Sequence, residues 1–112
     1  MYNSEVENTR EEIERLEKLI ELADGIERLS ENKDFKKVIL DEFLVTHCAQ
    51  NVQNSVNMRL SAEQRADCLA MAQAAGFFKQ FMMTTLAMAD HARKELGEHK
   101  DMLQQLSHEA GE

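Results

Sequence analysis

The chain has 112 residues, enough for one domain and too few for two, and its net charge of −8 argues against nucleic acid as a main partner. Proline and tryptophan are absent and there are four glycines, while Glu, Lys, Leu, Ala, Gln and Met, all good helix formers, are plentiful. No stretch alternates apolar and polar residues as a strand would, and two cysteines are too few for a disulfide scaffold, which points to a reducing compartment.

The first predicted helix covers residues 4–29. Its apolar positions, Val6, Ile13, Leu16, Leu19, Ile20, Leu22, Ala23, Ile26 and Leu29, recur in steps of three and four among Glu, Arg and Lys. This is a coiled-coil stripe. Val6, Ile13 and Ile20 keep one seven-residue frame, Leu19 and Ile26 another, and the change predicts a wider buried face near Leu19. The segment SENKD follows, where Ser30, Asn32 and Asp34 are each able to cap a restarting helix. Without Pro or Gly this break is soft.

The second predicted helix covers 35–59, with Val38, Val45 and Val52 at seven-residue spacing beside Phe35, Ile39, Phe43, Cys48, Ala49 and Val56. A turn near 60–61 ends in SAEQ, a capping box of Ser61 and Gln64. The third helix covers 62–106. Its expected stripe is Ala66, Ala70, Gln73, Phe77, Phe81, Thr84, Met88, Ala92, Leu96, His99, Leu103 and Leu106. The tight turn makes the last two helices antiparallel, so residues whose numbers add to about 121 should face each other. The expected fold is all-α: a single helical domain over 1–112, built as a long antiparallel helical hairpin of coiled-coil character or, if the first helix folds back, as a three-helix bundle.

Charge is unevenly spread along this plan. Residues 1–42 hold 13 acids and 7 bases, residues 43–62 hold only Arg59, and residues 63–112 hold 8 acids and 5 bases. The stretch AAGFFKQFMMTTLAMA, Ala74 to Ala89, has three phenylalanines, three methionines and one charge, Lys79. Polar residues interrupt it too often for a membrane span, which needs about 20 mostly apolar residues. The facing rule sets it near the charge-free Phe43–Met58, giving an apolar, amide-rich belt wider than a hairpin buries. Either a returning first helix covers this belt or another molecule does. Uncharged amides suit the second case, because they hydrogen-bond across an interface without the cost of burying a charge. The interface residues expected from the sequence are Leu44, Val45, Val52, Phe77, Phe78, Phe81, Met82 and Met83.

Chemistry is sparse. His47 and Cys48 are neighbours on a helix and point about 100° apart, and no CxxC or CxxH spacing brings Cys68 to them. His91, Glu95 and His99 form an i,i+4 ladder, but HEXXH is absent and a solvated or interface-lining face explains them better. There is no Gly-rich phosphate loop, no nucleophile elbow and no Ser/His/Asp arrangement. The expectation is a non-enzyme without cofactor, metal or small-molecule substrate.

Taken together, the acidic Leu/Ile-rich opening helix, LSENKDFKKVILDEFL (Leu29 to Leu44) and AAGFFKQFM (Ala74 to Met82) before a charged final helix resemble the small all-helical proteins encoded beside capsid and portal genes in tailed bacteriophages and prophages. Those proteins often have an Asn-Pro-Asp turn where this chain has Asn32, Lys33 and Asp34. The resemblance implies a virion-associated or assembly role, scaffold-like or at the head–tail junction. The expected partners are further copies of the chain and another virion protein, with no nucleic acid and no membrane. The expected location is the cytoplasm of a bacterial host and the virion assembled there. The rival expectation is a monomeric regulatory or chaperone-like adaptor that binds an amphipathic segment at a Met-rich groove.

Overall fold

The computed structural model describes residues 2–109, so residue 1 and residues 110–112 of the expected domain lie outside it. The fold is all-α. Helix α1 (Tyr2–Glu31) is followed by a short α2 (Lys33–Phe35), a π-wound stretch (Lys36–His47), α3 (Cys48–Asn54) and the long α4 (Ala62–Glu109). The chain forms two compact units, Met1–Gly25 with Thr84–Glu112 and Ile26–Met83.

In the first unit α1 lies antiparallel to the C-terminal half of α4. Thr9, Ile13, Leu16 and Ala23 are buried on one side, and Thr85, Ala89 and Ala92 on the other. Leu16, only 1% exposed, is the largest side chain fully withdrawn from water. Alanine dominates the α4 side because short side chains let two helices pack closely. The hydroxyl of Thr9 donates to the Glu5 carbonyl at 2.7 Å and lies 3.7 Å from the Met102 sulfur. Arg93 bridges the two helices, meeting Asp24 at 2.9 Å and Asp90 at 2.8 Å.

In the second unit the break after α1 is a single residue. Asn32 is extended (φ −70°, ψ 128°), and its side-chain oxygen accepts from the N–H groups of Asp34 at 3.0 Å and Phe35 at 2.9 Å. Of the three possible caps, Asn32 is the one used, which frees α2 to restart without a loop. The facing rule holds here: the Cys48 thiol lies 3.7 Å from the Ala72 carbonyl, and Phe43 meets Phe78 edge-on at 6.2 Å between ring centres.

The middle helix ends earlier than its predicted limit of 59, at Asn54. Ser55 donates its hydroxyl to the Val52 carbonyl at 2.6 Å, and the Val56 and Asn57 N–H groups reach back three residues, to Gln53 and Asn54. Asn57 then accepts from the Arg59 N–H at 3.0 Å. Ser and Asn offer the backbone local alternatives to the helix, and Asn51, Asn54, Ser55 and Asn57 stand close together here. The capping box forms as expected: Gln64 N–H donates to the Ser61 hydroxyl at 3.0 Å and Ser61 N–H to the Gln64 side chain at 2.9 Å.

Candidate assembly surface

Helix α4 shows which side chains are packed and which are left exposed. Its inward residues include Cys68, Ala75, Met82, Ala89, Leu96 and Leu103, spaced by seven, alternating with Thr85, Ala92, His99 and Leu106, also spaced by seven, with buried Ala72 beside the first series. Phe78 continues the second series at its margin, 37% exposed with its ring against Phe43. From Ala92 onward this is the predicted stripe. Before Ala92 the prediction is wrong: Ala66, Ala70, Gln73, Phe77, Phe81, Thr84 and Met88 are all exposed. The expected stripe followed the large aromatics, whereas close packing against a second helix selected the face bearing Ala72, Ala75 and Met82. Carrying the Leu96/Leu103 and His99/Leu106 spacing back by sevens would have found the true seam.

The valine repeat lies off the packed face. Val38, Val45 and Val52 are exposed. A π-wound turn takes more residues than an α-helical one, so a seven-residue repeat does not stay on one face through Lys36–His47. The half-buried positions are instead Phe35, Ile39, Leu40, Phe43, Leu44 and Cys48. Their steps of about four to five match the wider winding. Phe43 also stacks on His47, with ring centres 6.4 Å apart.

The eight expected interface residues therefore divide. Phe77 is 69% exposed and Phe81 56%. Phe78, Val45, Val52 and Met83 are exposed as well, and Leu44 is half-buried. Met82, 8% exposed, points into the helix pair and holds it together. Ala66, Ala70, Gln73 and Ala74 share the face of Phe77 and Phe81 by helical spacing, while Leu69, Gly76 and Met83 mark a different flank. Leu69 and Met71 are exposed too, as are Val56 and Met58 around the turn.

The belt's amides do not all face outward for a partner. Asn51 donates to the His47 carbonyl at 3.1 Å, and Asn57 serves the turn. Gln53, Asn54, Gln73 and Gln80 are exposed. No charge lies between Asp67 and Lys79 on α4.

Apart from the Arg93–Asp24 bridge and the Thr9–Met102 contact, the polar pairs outside the belt form within single helices. His91 and Glu95 pair at 2.9 Å, and the His99 ring nitrogen sits 2.8 Å from the Glu95 carbonyl, so the ladder is occupied locally. With Arg15, Leu19 and Met88, His91 and Glu95 line a shallow groove in the first unit. The Arg15 guanidinium, hydrogen-bonded to Glu12, holds that carboxyl below its ordinary range and is itself raised. Cys48 and Cys68 are free thiols, both half-buried. Among the described residues no three His, Cys, Asp or Glu side chains are placed to hold a metal ion, and no helix is long and apolar enough to cross a membrane. Comparison with protein-family models, curated proteins and solved structures finds no match.

Proposed function

We propose that this is a non-enzymatic helical protein that joins copies of itself through a repeated helix–helix interface. In that role it serves as a structural or assembly accessory of a tailed-phage particle, in the host cytoplasm and in the virion, alongside another virion protein. The exposed, uncharged face of α4 bearing Phe77 and Phe81 carries the reading. A wet helical face normally carries charge, and this chain has charges in abundance elsewhere. Two acidic chains repel one another except where their surfaces are neutral, so the belt is where copies are able to meet. The phage assignment rests on the pattern of the opening helix, LSENKDFKKVILDEFL and AAGFFKQFM.

Mass in solution tests the first part, measured by light scattering at low micromolar and at about a hundred times higher concentration. A defined multimer at the higher concentration is expected. A monomer at both would remove the assembly reading in favour of an adaptor that takes an amphipathic segment. For the second part, the native host is probed for the chain in purified particles. Its absence from both particles and assembly intermediates would remove the virion role.

A further inference from the structure

The face of α4 between Ala66 and Phe81 has a symmetry of its own. Its residues are Ala66, Ala70, Gln73, Ala74, Phe77 and Phe81, all exposed. Their spacing is the same from either end, about a midpoint between Gln73 and Ala74. Their sizes are not: the alanines stand at the N-terminal end and the phenylalanines at the C-terminal end. A helix carrying such a face fits a second copy of itself running the opposite way. Each large side chain then meets a small one.

On this geometry, and resting on the self-association proposed above, we infer that two copies pair through α4 about a two-fold axis. The axis passes between Gln73 and Ala74, with Phe77 of each copy over Ala70 of the other and Phe81 over Ala66. Isologous contacts of this kind use one patch twice and close on themselves. The parallel alternative sets phenylalanine on phenylalanine at one end and leaves a gap between alanines at the other. Close packing disfavours both.

Charge agrees with the antiparallel register. The face itself bears no ionisable group, and Lys79 lies on the far side of the helix from it. Asp67, at its edge, comes level with Gln80 of the second copy and not with another acid. At about 200 Å² for a whole phenylalanine side chain, the exposed parts of Phe77 and Phe81 leave about 250 Å² per chain. A pair thus brings about 500 Å² of ring surface to an interface. Specific interfaces begin near 1,200 Å² in total, so the exposed alanines, Gln73 and the flanks of the helix would have to bring about 700 Å² more.

A charge swap reads the register directly. Phe77→Glu and Ala70→Lys are made singly and together, and association is measured by light scattering, with helix content checked by circular dichroism. Each single change is expected to weaken pairing at least tenfold. The double variant should recover most of that loss, because the new carboxylate of one copy then faces the new ammonium of the other across the axis. If wild type assembles and the double variant is no better than Phe77→Glu alone, the register is wrong while self-association stands. If wild type is monomeric at both concentrations, both ideas fall.

Cross-linking covers the case in which the charged variants lose helix. In a Cys48→Ala, Cys68→Ala background, Gln73→Cys beside the axis should form a disulfide between copies under mild oxidation, and Lys79→Cys should not. Equal cross-linking at the two positions, or none at Gln73→Cys in a chain that assembles, overturns the pairing.

Discussion

Truncating a methionine should cost this protein more than truncating a phenylalanine five residues away. Phe77 is 69% exposed, so about 60 Å² of its roughly 200 Å² side chain is withdrawn from water. At 25 cal/mol per Å² that amounts to about 1.5 kcal/mol lost on Phe77→Ala. Met82 is 8% exposed and sits in the seam of the helix pair. Met82→Ala removes the transfer energy of a buried side chain and leaves a cavity, together about 3 kcal/mol within a usual range of roughly 2–5. The assay is urea unfolding followed at 222 nm, at a concentration low enough for the chain to be monomeric. At a hundredfold higher concentration wild type and Met82→Ala should both gain stability by mass action, and Phe77→Ala should not. If Phe77→Ala is the more damaging change at low concentration, the phenylalanine face is core and the seam has been placed on the wrong side of α4.

Three further outcomes follow from local geometry. An added Cβ at Gly76 or Gly97 would meet nothing within 4 Å beyond its own stretch of helix, so Gly76→Ala and Gly97→Ala should each stabilise the chain by about 0.5–1 kcal/mol in thermal unfolding, helix interiors favouring Ala by that amount. Asn32→Ala removes the acceptor for the Asp34 and Phe35 N–H groups and should cost about 1 kcal/mol, with amide exchange rising at α2 first. Glu12 is held below its ordinary value by its hydrogen bonds to Arg15. Its contribution is therefore present above the ordinary carboxylate range and lost as pH falls through the lowered value. Melts of wild type and Glu12→Gln should differ slightly at pH 7, the pair being exposed, and converge in acid.

Much of the plan was legible because local chemistry enforces it. Ser61 and Gln64 have few ways to satisfy each other except a capping box, and they form one. Leu96, His99, Leu103 and Leu106 lie among Glu, Lys and Asp, so contrast alone identifies the inward face. Between Cys68 and Ala89 that contrast disappears. Nearly every residue there is apolar or small, and the face that packs is chosen by how close another helix comes, a quantity hydrophobicity does not encode. The phenylalanines attracted the prediction, and the alanines made the contact. The valine repeat marks no packed face for a different reason: seven residues suit α-helical winding, and Lys36–His47 is wound otherwise. Of the expected surface, Phe77, Phe78, Phe81, Val45, Val52 and Met83 are exposed, whereas Met82, apolar like its neighbours, is turned inward, a difference that composition does not encode.

The alanine seam also governs how stability responds to temperature. Ala23, Ala72, Ala75, Ala89 and Ala92 outnumber the larger apolar side chains among the buried residues described, and each hides little carbon. Unfolding therefore uncovers little new apolar surface for the chain's length, and the heat-capacity change, set largely by that surface, is small. A small heat-capacity change flattens the stability curve. Calorimetry at several pH values should therefore give a heat-capacity change below the usual ~12–15 cal/mol/K per residue, and a stability curve of little curvature between cold and warm.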